Sequence, residues 1–165
     1  MGEKLTEADI AKIREEIEYR KLTERPRLIA AVKEARSHGD LSENFEYYAA
    51  KREKNQNESR IGYLERMIRF AEVIEDDSES DEVGLNKLVE LFYEDDGTSE
   101  TFKIVTPIRG KSLEGRISIE SPLGKALLGH KAGDRVYVEI SQGEGYYTVI
   151  RSITEDDTDD DIRAY

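Results

Sequence analysis

Asp40 and Glu43 stand three residues apart in the stretch ARSHGDLSENFEYYAAKREKN, residues 35–55, just after Gly39 and flanked by basic residues. Two chemistries suit such a pair. An Asp at a helix N-cap with Glu three residues on is a capping-box-like arrangement, and both acids favour the positive end of a helix dipole. The same carboxylates are hard oxygen ligands, and Mg²⁺ commonly takes one or two of them and fills its sphere with water and phosphate. Two carboxylates without further ligands do not build a two-metal centre, so the pair does not support a free-standing nuclease. Nor is a zinc site supported: His38 and His130 are far apart in sequence, and the chain has no Cys.

The elements that must carry this pair read as two long helices. Thr6 followed by Asp9 resembles a capping box, and Ile10, Ile13, Ile17, Leu28, Ile29, Val32 and Ala35 are spaced for one helix face. Pro26 predicts a bend or short break within that run. His38 and Gly39 suit the end of the helix. A second helix is predicted from Asp40 to about Ile74, with Phe45, Tyr48 and Ala49 near its start and Ile61, Leu64, Ile68 and Ala71 near its end. Between them KREKNQNESR is polar on every face. Helices joined by so short a turn run antiparallel. The result is a coiled-coil hairpin on the order of 45 Å long with acids at its bend.

After residue 82 the pattern changes to period two. Leu88, Glu90 and Phe92 alternate with Val89, Leu91 and Tyr93, the turn DDG follows at 95–97, and TFKIVTP, GRISIES, DRVYVEI and YYTVIRSI read as further strands. SPLGKALLG reads as a short helix with Ser121 as N-cap, Pro122 at its first position and Gly129 closing it. The fold class is α+β: an N-terminal antiparallel α-helical hairpin over residues 1–76, then a small antiparallel sheet domain with one short helix over 77–165.

Charged residues make up 38% of the 165 and hydrophobic ones 37%, a ratio that suits elongated helices. The net charge is −12, but EDDSESDE at 75–82 carries −6 and TEDDTDDDIRAY at 154–165 carries −5, so the body is close to neutral. This balance argues against autonomous duplex binding, which needs a basic face to displace counterions. Any nucleic acid is expected to be presented by a partner, with DNA touched only indirectly. No apolar run approaches a membrane span or a signal-peptide core, so no membrane association and a cytoplasmic location are expected.

ARSHGDLSENFEYYAAKREK resembles the hairpin-tip signature of the Gre family of bacterial transcript-cleavage factors, and GRISIESPLGKALLGHKAGD resembles a segment of that family's second domain. The resemblance implies an FK506-binding-protein-like second domain docked at the rim of RNA polymerase, with the coiled coil entering the secondary channel. It implies that Asp40 and Glu43 help to hold the second, weakly bound Mg²⁺ of the polymerase active site on a backtracked complex. That ion is shared with the polymerase and is not expected on the free protein. The factor is then no enzyme itself, but stimulates the polymerase's own cleavage of the nascent RNA 3′ end.

On the same resemblance Asn44 orients the acids or a water, Glu46 and Tyr47 belong to the tip, and Arg36, Lys51 and Arg52 form a basic patch facing the extruded RNA. Each has a local alternative: Asn44 as a backbone partner, Tyr47 packed across the bend, the three cations as a solvated helix face. Ser121 and Pro122 sit in the best-matched part of the second domain, where helix initiation explains both and docking on the polymerase is the further expectation. Two rival functions remain open at this point. One is a regulator of this fold that occupies the channel without stimulating cleavage, and the other is a coiled-coil interaction module unrelated to transcription.

Overall fold

Residues Glu7 to Arg36 follow one helical path in three parts: α1 (Glu7–Tyr19), a π-helical turn (Arg20–Glu24) and α2 (Arg25–Arg36). These coordinates are a computed structural model, which describes residues 2–39 and 43–164. Pro26 falls in the first turn of α2. A proline there lacks the N–H of a regular helix, and its ring crowds the carbonyl four residues back. The chain widens instead of breaking. The Arg25 N–H reaches the Arg20 carbonyl, five residues away, so the path takes in one extra residue. That residue shifts the apolar stripe. Ile10 and Ile13 are buried before the turn, and Leu28 and Ala35 after it, while Ile29 is pushed outward and is 48% exposed.

The second long helix, α3 (Phe45–Arg69), begins five residues later than the sequence predicts. Its 25 residues rise ~37 Å. Tyr47, Ile61, Leu64 and Met67 are buried along one stripe, together with Asn57 and Arg60 from the stretch that reads as polar on every face. Phe45, Tyr48 and Ala49, expected to face inward, are exposed instead, Phe45 by 84%. The later start explains this: once Tyr47 is placed inward, residues 45, 48 and 49 fall on the other sides of the helix.

Glu7–Glu72, with the residues before Lys4, forms one unit; Lys4–Thr6 and the chain from Val73 onward form a second. Two short strands, β1 (Lys4–Leu5) and β2 (Glu72–Val73), lie where the chain passes from one to the other. Within the first unit the Glu72 N–H bonds to the Glu3 carbonyl at 2.8 Å; within the second the Ile74 N–H bonds to the Leu5 carbonyl at 2.9 Å.

The second unit is built on a five-stranded sheet in the order β5-β4-β3-β7-β6. Its strands are β3 (Lys87–Tyr93), β4 (Ser99–Val105), β5 (Arg116–Ser118), β6 (Arg135–Ser141) and β7 (Glu144–Glu155). The alternation in β3 sends Val89 and Leu91 into a core with Val83, Ile104, Leu127, Val136 and Ile150. The sheet is mixed, not purely antiparallel, because β5 pairs parallel to β4. Two tight 3-10 turns at Pro107–Arg109 and Ser112–Glu114 bring the chain back to the start of that edge, so no long crossover is needed. Helix α4 (Pro122–Leu127) covers the core through Leu127. Lys87, 1% exposed, donates from Nζ to Ser78 Oγ and to the carbonyls of Glu79 and Glu82. The acidic stretch 75–82 is therefore wrapped around a buried ammonium. Among the described residues no helix is long and apolar enough to cross a membrane.

Candidate functional site

Two helix ends make the hairpin tip. Helix α2 closes with the Ser37 N–H on the Glu34 carbonyl at 3.0 Å and the His38 N–H on the Ala35 carbonyl at 3.2 Å. Gly39 then takes φ of +140°. A Cβ there would meet nothing, so it is the backbone angle and not crowding that calls for glycine. Asp40 lies outside the described residues. Glu43 is exposed, and among the described residues no cation or hydrogen-bond donor holds its carboxylate.

Asn44, not Asp40, caps α3. Its Oδ1 accepts the Tyr47 N–H at 2.9 Å, while its Nδ2 donates to the Ala35 carbonyl at 2.7 Å on the opposite helix. One side chain thus satisfies an orphan donor of the new helix and fastens it to the end of the old one. Both contacts lie one residue beyond Glu43, so Asn44 fixes the point from which Glu43 projects.

Around this clamp the structure pairs most of the residues that the sequence singles out. Glu46 meets His38 Nδ1 at 3.1 Å across the tip, and the hydrogen bond to Glu46, then its charge, raises the His38 pKa above the ordinary value. Tyr47 is 9% exposed, with the Arg36 guanidinium 5.5 Å from its ring centre and the Tyr48 ring edge-on at 5.5 Å. Tyr47 therefore packs across the bend, and Arg36 is its cover. Lys51 and Arg52 are exposed on α3, and Arg36 is exposed at the end of α2. Among the described residues no trio of His, Asp and Glu side chains converges as a metal site.

Further along the hairpin a polar layer replaces apolar packing. Arg60 donates from Nε and Nη2 to the two carboxylate oxygens of Glu16 at 2.8 and 3.2 Å, and Arg20 Nε donates to the same carboxylate at 2.7 Å. Arg20 Nη1 donates to Asn57 Oδ1 at 2.9 Å, and Asn57 Nδ2 returns a bond to the Arg20 carbonyl at 3.3 Å. Burial pushes the Glu16 carboxyl up, but the two guanidiniums outweigh it and leave its pKa below the usual glutamate range. Arg25 grips Glu58 through two 2.8 Å bonds, and Lys21 meets Glu65 at 2.9 Å. Sequence reading missed this layer. Stepping back from Leu64 and Ile61 at three- and four-residue spacing lands on Asn57, and that was the available signal.

In the second unit Ser121 Oγ accepts the Gly124 N–H at 3.0 Å and donates to the Ser118 carbonyl at 2.7 Å, and Pro122 opens α4. Pro122 also lines a depression of about 450 Å³ with Lys125, Tyr137 and Glu139.

Comparison with known families places this geometry. The model described as transcription elongation factor, N-terminal, matches residues 3–73, and the one described as transcription elongation factor, GreA/GreB, C-term, matches residues 78–154. The chain belongs to the GreA/GreB family of transcription elongation factors. Transcription elongation factor GreA of Mesorhizobium japonicum is 42% identical over 148 residues, covering 89% of this chain and 94% of that protein. GreA of Bacillus licheniformis is 43% identical over the same shares. The crystal structure of GreA factor homolog 1 (Gfh1) of Thermus thermophilus is 27% identical, covers 93% of this chain and 99% of that one, and aligns with a TM-score of 0.43. Membership of the GreA/GreB family removes the reading of a coiled-coil module unrelated to transcription.

Proposed function

We propose that this GreA/GreB-family factor binds RNA polymerase in the bacterial cytoplasm, inserts its hairpin tip into the secondary channel and stimulates cleavage of the nascent RNA 3′ end in backtracked complexes. The observation that carries the proposal is the exposed carboxylate of Glu43, which no partner among the described residues holds, at the clamped tip of a family-matched hairpin. Asp40, three residues earlier, supplies the second acid.

These residue types fit a Mg²⁺ shared with the polymerase, because the ion accepts one or two protein carboxylates and keeps water or phosphate in its other positions. Such an ion, when held, stabilises charge on the attacking or leaving oxygen of phosphodiester hydrolysis. The chain's own contribution is positional. Asn44 sets where Glu43 leaves the helix, and the Tyr47–Arg36 stack makes the tip rigid behind it. Arg36, Lys51 and Arg52, all exposed, are the cations proposed to face RNA phosphates, and the Arg36 guanidinium also lies over the Tyr47 ring. Ser121 and Pro122 initiate α4, and Pro122 contributes to a surface depression that a docking partner could fill.

Purified backtracked polymerase complexes incubated with the protein should yield shortened transcripts with new 3′ ends. Asp40→Asn and Glu43→Gln should keep polymerase binding and abolish that shortening at low Mg²⁺. Unchanged cleavage with both variants sinks the role given to the acids. Binding without any cleavage by the natural sequence would instead make it a channel-occupying regulator.

A further inference from the structure

The acidic segment after β7 is not a solvated charge run. Lys103 on β4 and Arg116 on β5 are register partners in the parallel ladder, so two cations stand side by side at the sheet's edge. Like charges paired across strands oppose sheet formation. Arg109, in the turn between the strands, adds a third, and its carbonyl accepts from Arg116 Nε at 2.8 Å. All three side chains are buried, with 5% of Lys103, 8% of Arg109 and 10% of Arg116 exposed.

Residues 156–163 lie over this row. Lys103 Nζ meets Asp156 Oδ2 at 3.1 Å, donates to the Thr158 carbonyl at 3.1 Å and bonds the Asp160 carboxylate. Arg109 Nη1 donates to Asp159 Oδ1 at 3.0 Å and to the Asp160 carbonyl at 2.7 Å. Arg116 Nη2 donates to Asp161 Oδ1 at 2.7 Å, and its Nη1 to Glu114 at 2.8 Å. Main-chain bonds pin both ends: the Asp156 N–H to the Asn86 carbonyl at 3.1 Å, and the Arg163 N–H to the Ile108 carbonyl at 2.8 Å. The row, with the Asn86 and Ile108 carbonyls beside it, therefore engages two backbone carbonyls and two backbone N–H groups of the strap as well as its carboxylates. A polypeptide supplies that set. A phosphodiester chain supplies the charge but neither the amide donors nor the carbonyls.

The three cations fall inside the stretch that matches the family's C-terminal domain, residues 78–154, and the strap begins where that match ends. We propose that the Lys103–Arg109–Arg116 row is a receptor for an acidic, extended peptide segment of a partner protein, and that residues 156–163 occupy it in cis and hold it closed. The proposal is independent of the polymerase reading. It makes the strap a competitor tethered to its own site, at an effective concentration in the millimolar range. A partner segment gains access only when it outcompetes that tether.

The test uses the full chain. Asp156, Asp159, Asp160 and Asp161 are changed together to Asn, and a fluorescent peptide DDTDDDIRA, the sequence of residues 156–164, is titrated by anisotropy at low salt. The neutralised chain should bind the peptide at least tenfold more tightly than the natural chain, and Lys103→Met with Arg116→Met in the same background should remove the gain. Equal binding by both chains overturns the proposal. So does binding of a uridine oligonucleotide of matched charge as tightly as the peptide, which would make the row a generic polyanion surface. A second measurement needs no variant. In the natural chain the Arg163 amide should be protected from hydrogen exchange at about 0.05 M salt and lose part of that protection at about 0.5 M, where the exposed Asp159 and Asp161 ends of the pairs are screened, while the Val89 and Leu91 amides stay unchanged. An Arg163 amide that exchanges freely at low salt shows an undocked strap and refutes the idea.

Discussion

Asn44→Ala removes two bonds with one truncation, and the two can be told apart. Loss of the Oδ1 bond to the Tyr47 N–H uncaps α3, which costs about 1 kcal/mol. Loss of the Nδ2 bond takes a donor from the Ala35 carbonyl, worth about 1 kcal/mol as an ordinary hydrogen bond. That carbonyl keeps the His38 N–H at 3.2 Å, so no buried acceptor is orphaned and the larger penalty for an unmet group does not apply. The expected total is about 2 kcal/mol, read by urea unfolding followed through helical ellipticity. Asn44→Asp is the control. It keeps an acceptor, now charged at the positive end of the helix, and lacks the amide donor, so it should lose about half as much. If Asp proves as costly as Ala, the cap bond contributes nothing and the cross-tip bond carries the whole loss; if Asp costs nothing, the cross-tip bond is not what holds the bend. If Ala costs under about 0.5 kcal/mol, Asn44 is not a clamp at all. Because Glu43 leaves the chain one residue earlier, cleavage stimulation should fall further with Ala than with Asp.

Three other outcomes follow from the hairpin. Arg60→Met should destabilise the protein by about 2–3 kcal/mol in urea, below the ~3–5 of a fully orphaned buried pair because Arg20 still holds Glu16. Since the Glu16 pKa is depressed on folding, its contribution is complete above the ordinary glutamate range and is lost as pH falls through the lowered folded value. Glu16→Gln should therefore flatten the acid limb of stability against pH, and an unchanged limb would show that other carboxylates set it. The raised His38 pKa means that its pairing is complete below the ordinary histidine value and fades as pH rises through the folded one. An NMR titration should place the imidazole above its ordinary value and return it there in Glu46→Gln; a value that ignores the substitution counts against the pair.

What was legible in the sequence was local. The period-two run gave β3, the SPLG start gave α4 with Ser121 as its cap, and Gly39 gave the end of the first helical path. The misses share a cause, which is a partner far away in sequence. Asp40 and Asn44 are both good cap residues, and the bond to Ala35 on the other helix favours Asn44. Pro26 signals trouble, but only Asn57, 31 positions on, shows how the chain resolves it, by bonding the Arg20 carbonyl that the π turn uses. The parallel β4–β5 pair depends on a ten-residue connection that folds into two tight turns, a geometry no alternation pattern reports. Residues 156–161 look solvated by composition, and only the burial of Lys103, Arg109 and Arg116 assigns them partners.

The polar layer also bears on what the hairpin is for. Buried ion pairs and a buried Asn are poor ways to gain stability, because desolvation offsets most of their attraction. Their established use in paired helices is to fix register. Here Asn57 binds the side chain and the carbonyl of Arg20, at the residue where the π turn adds its extra position. A slip of one residue along α3 would carry the tip by ~1.5 Å and turn it by ~100°. An acid meant to meet an ion in another macromolecule tolerates neither displacement. On the proposed function, then, Asn57, Arg20, Glu16 and Arg60 trade stability for placement: they set the register, Asn44 transmits it across the bend, and Glu43 is where it is used.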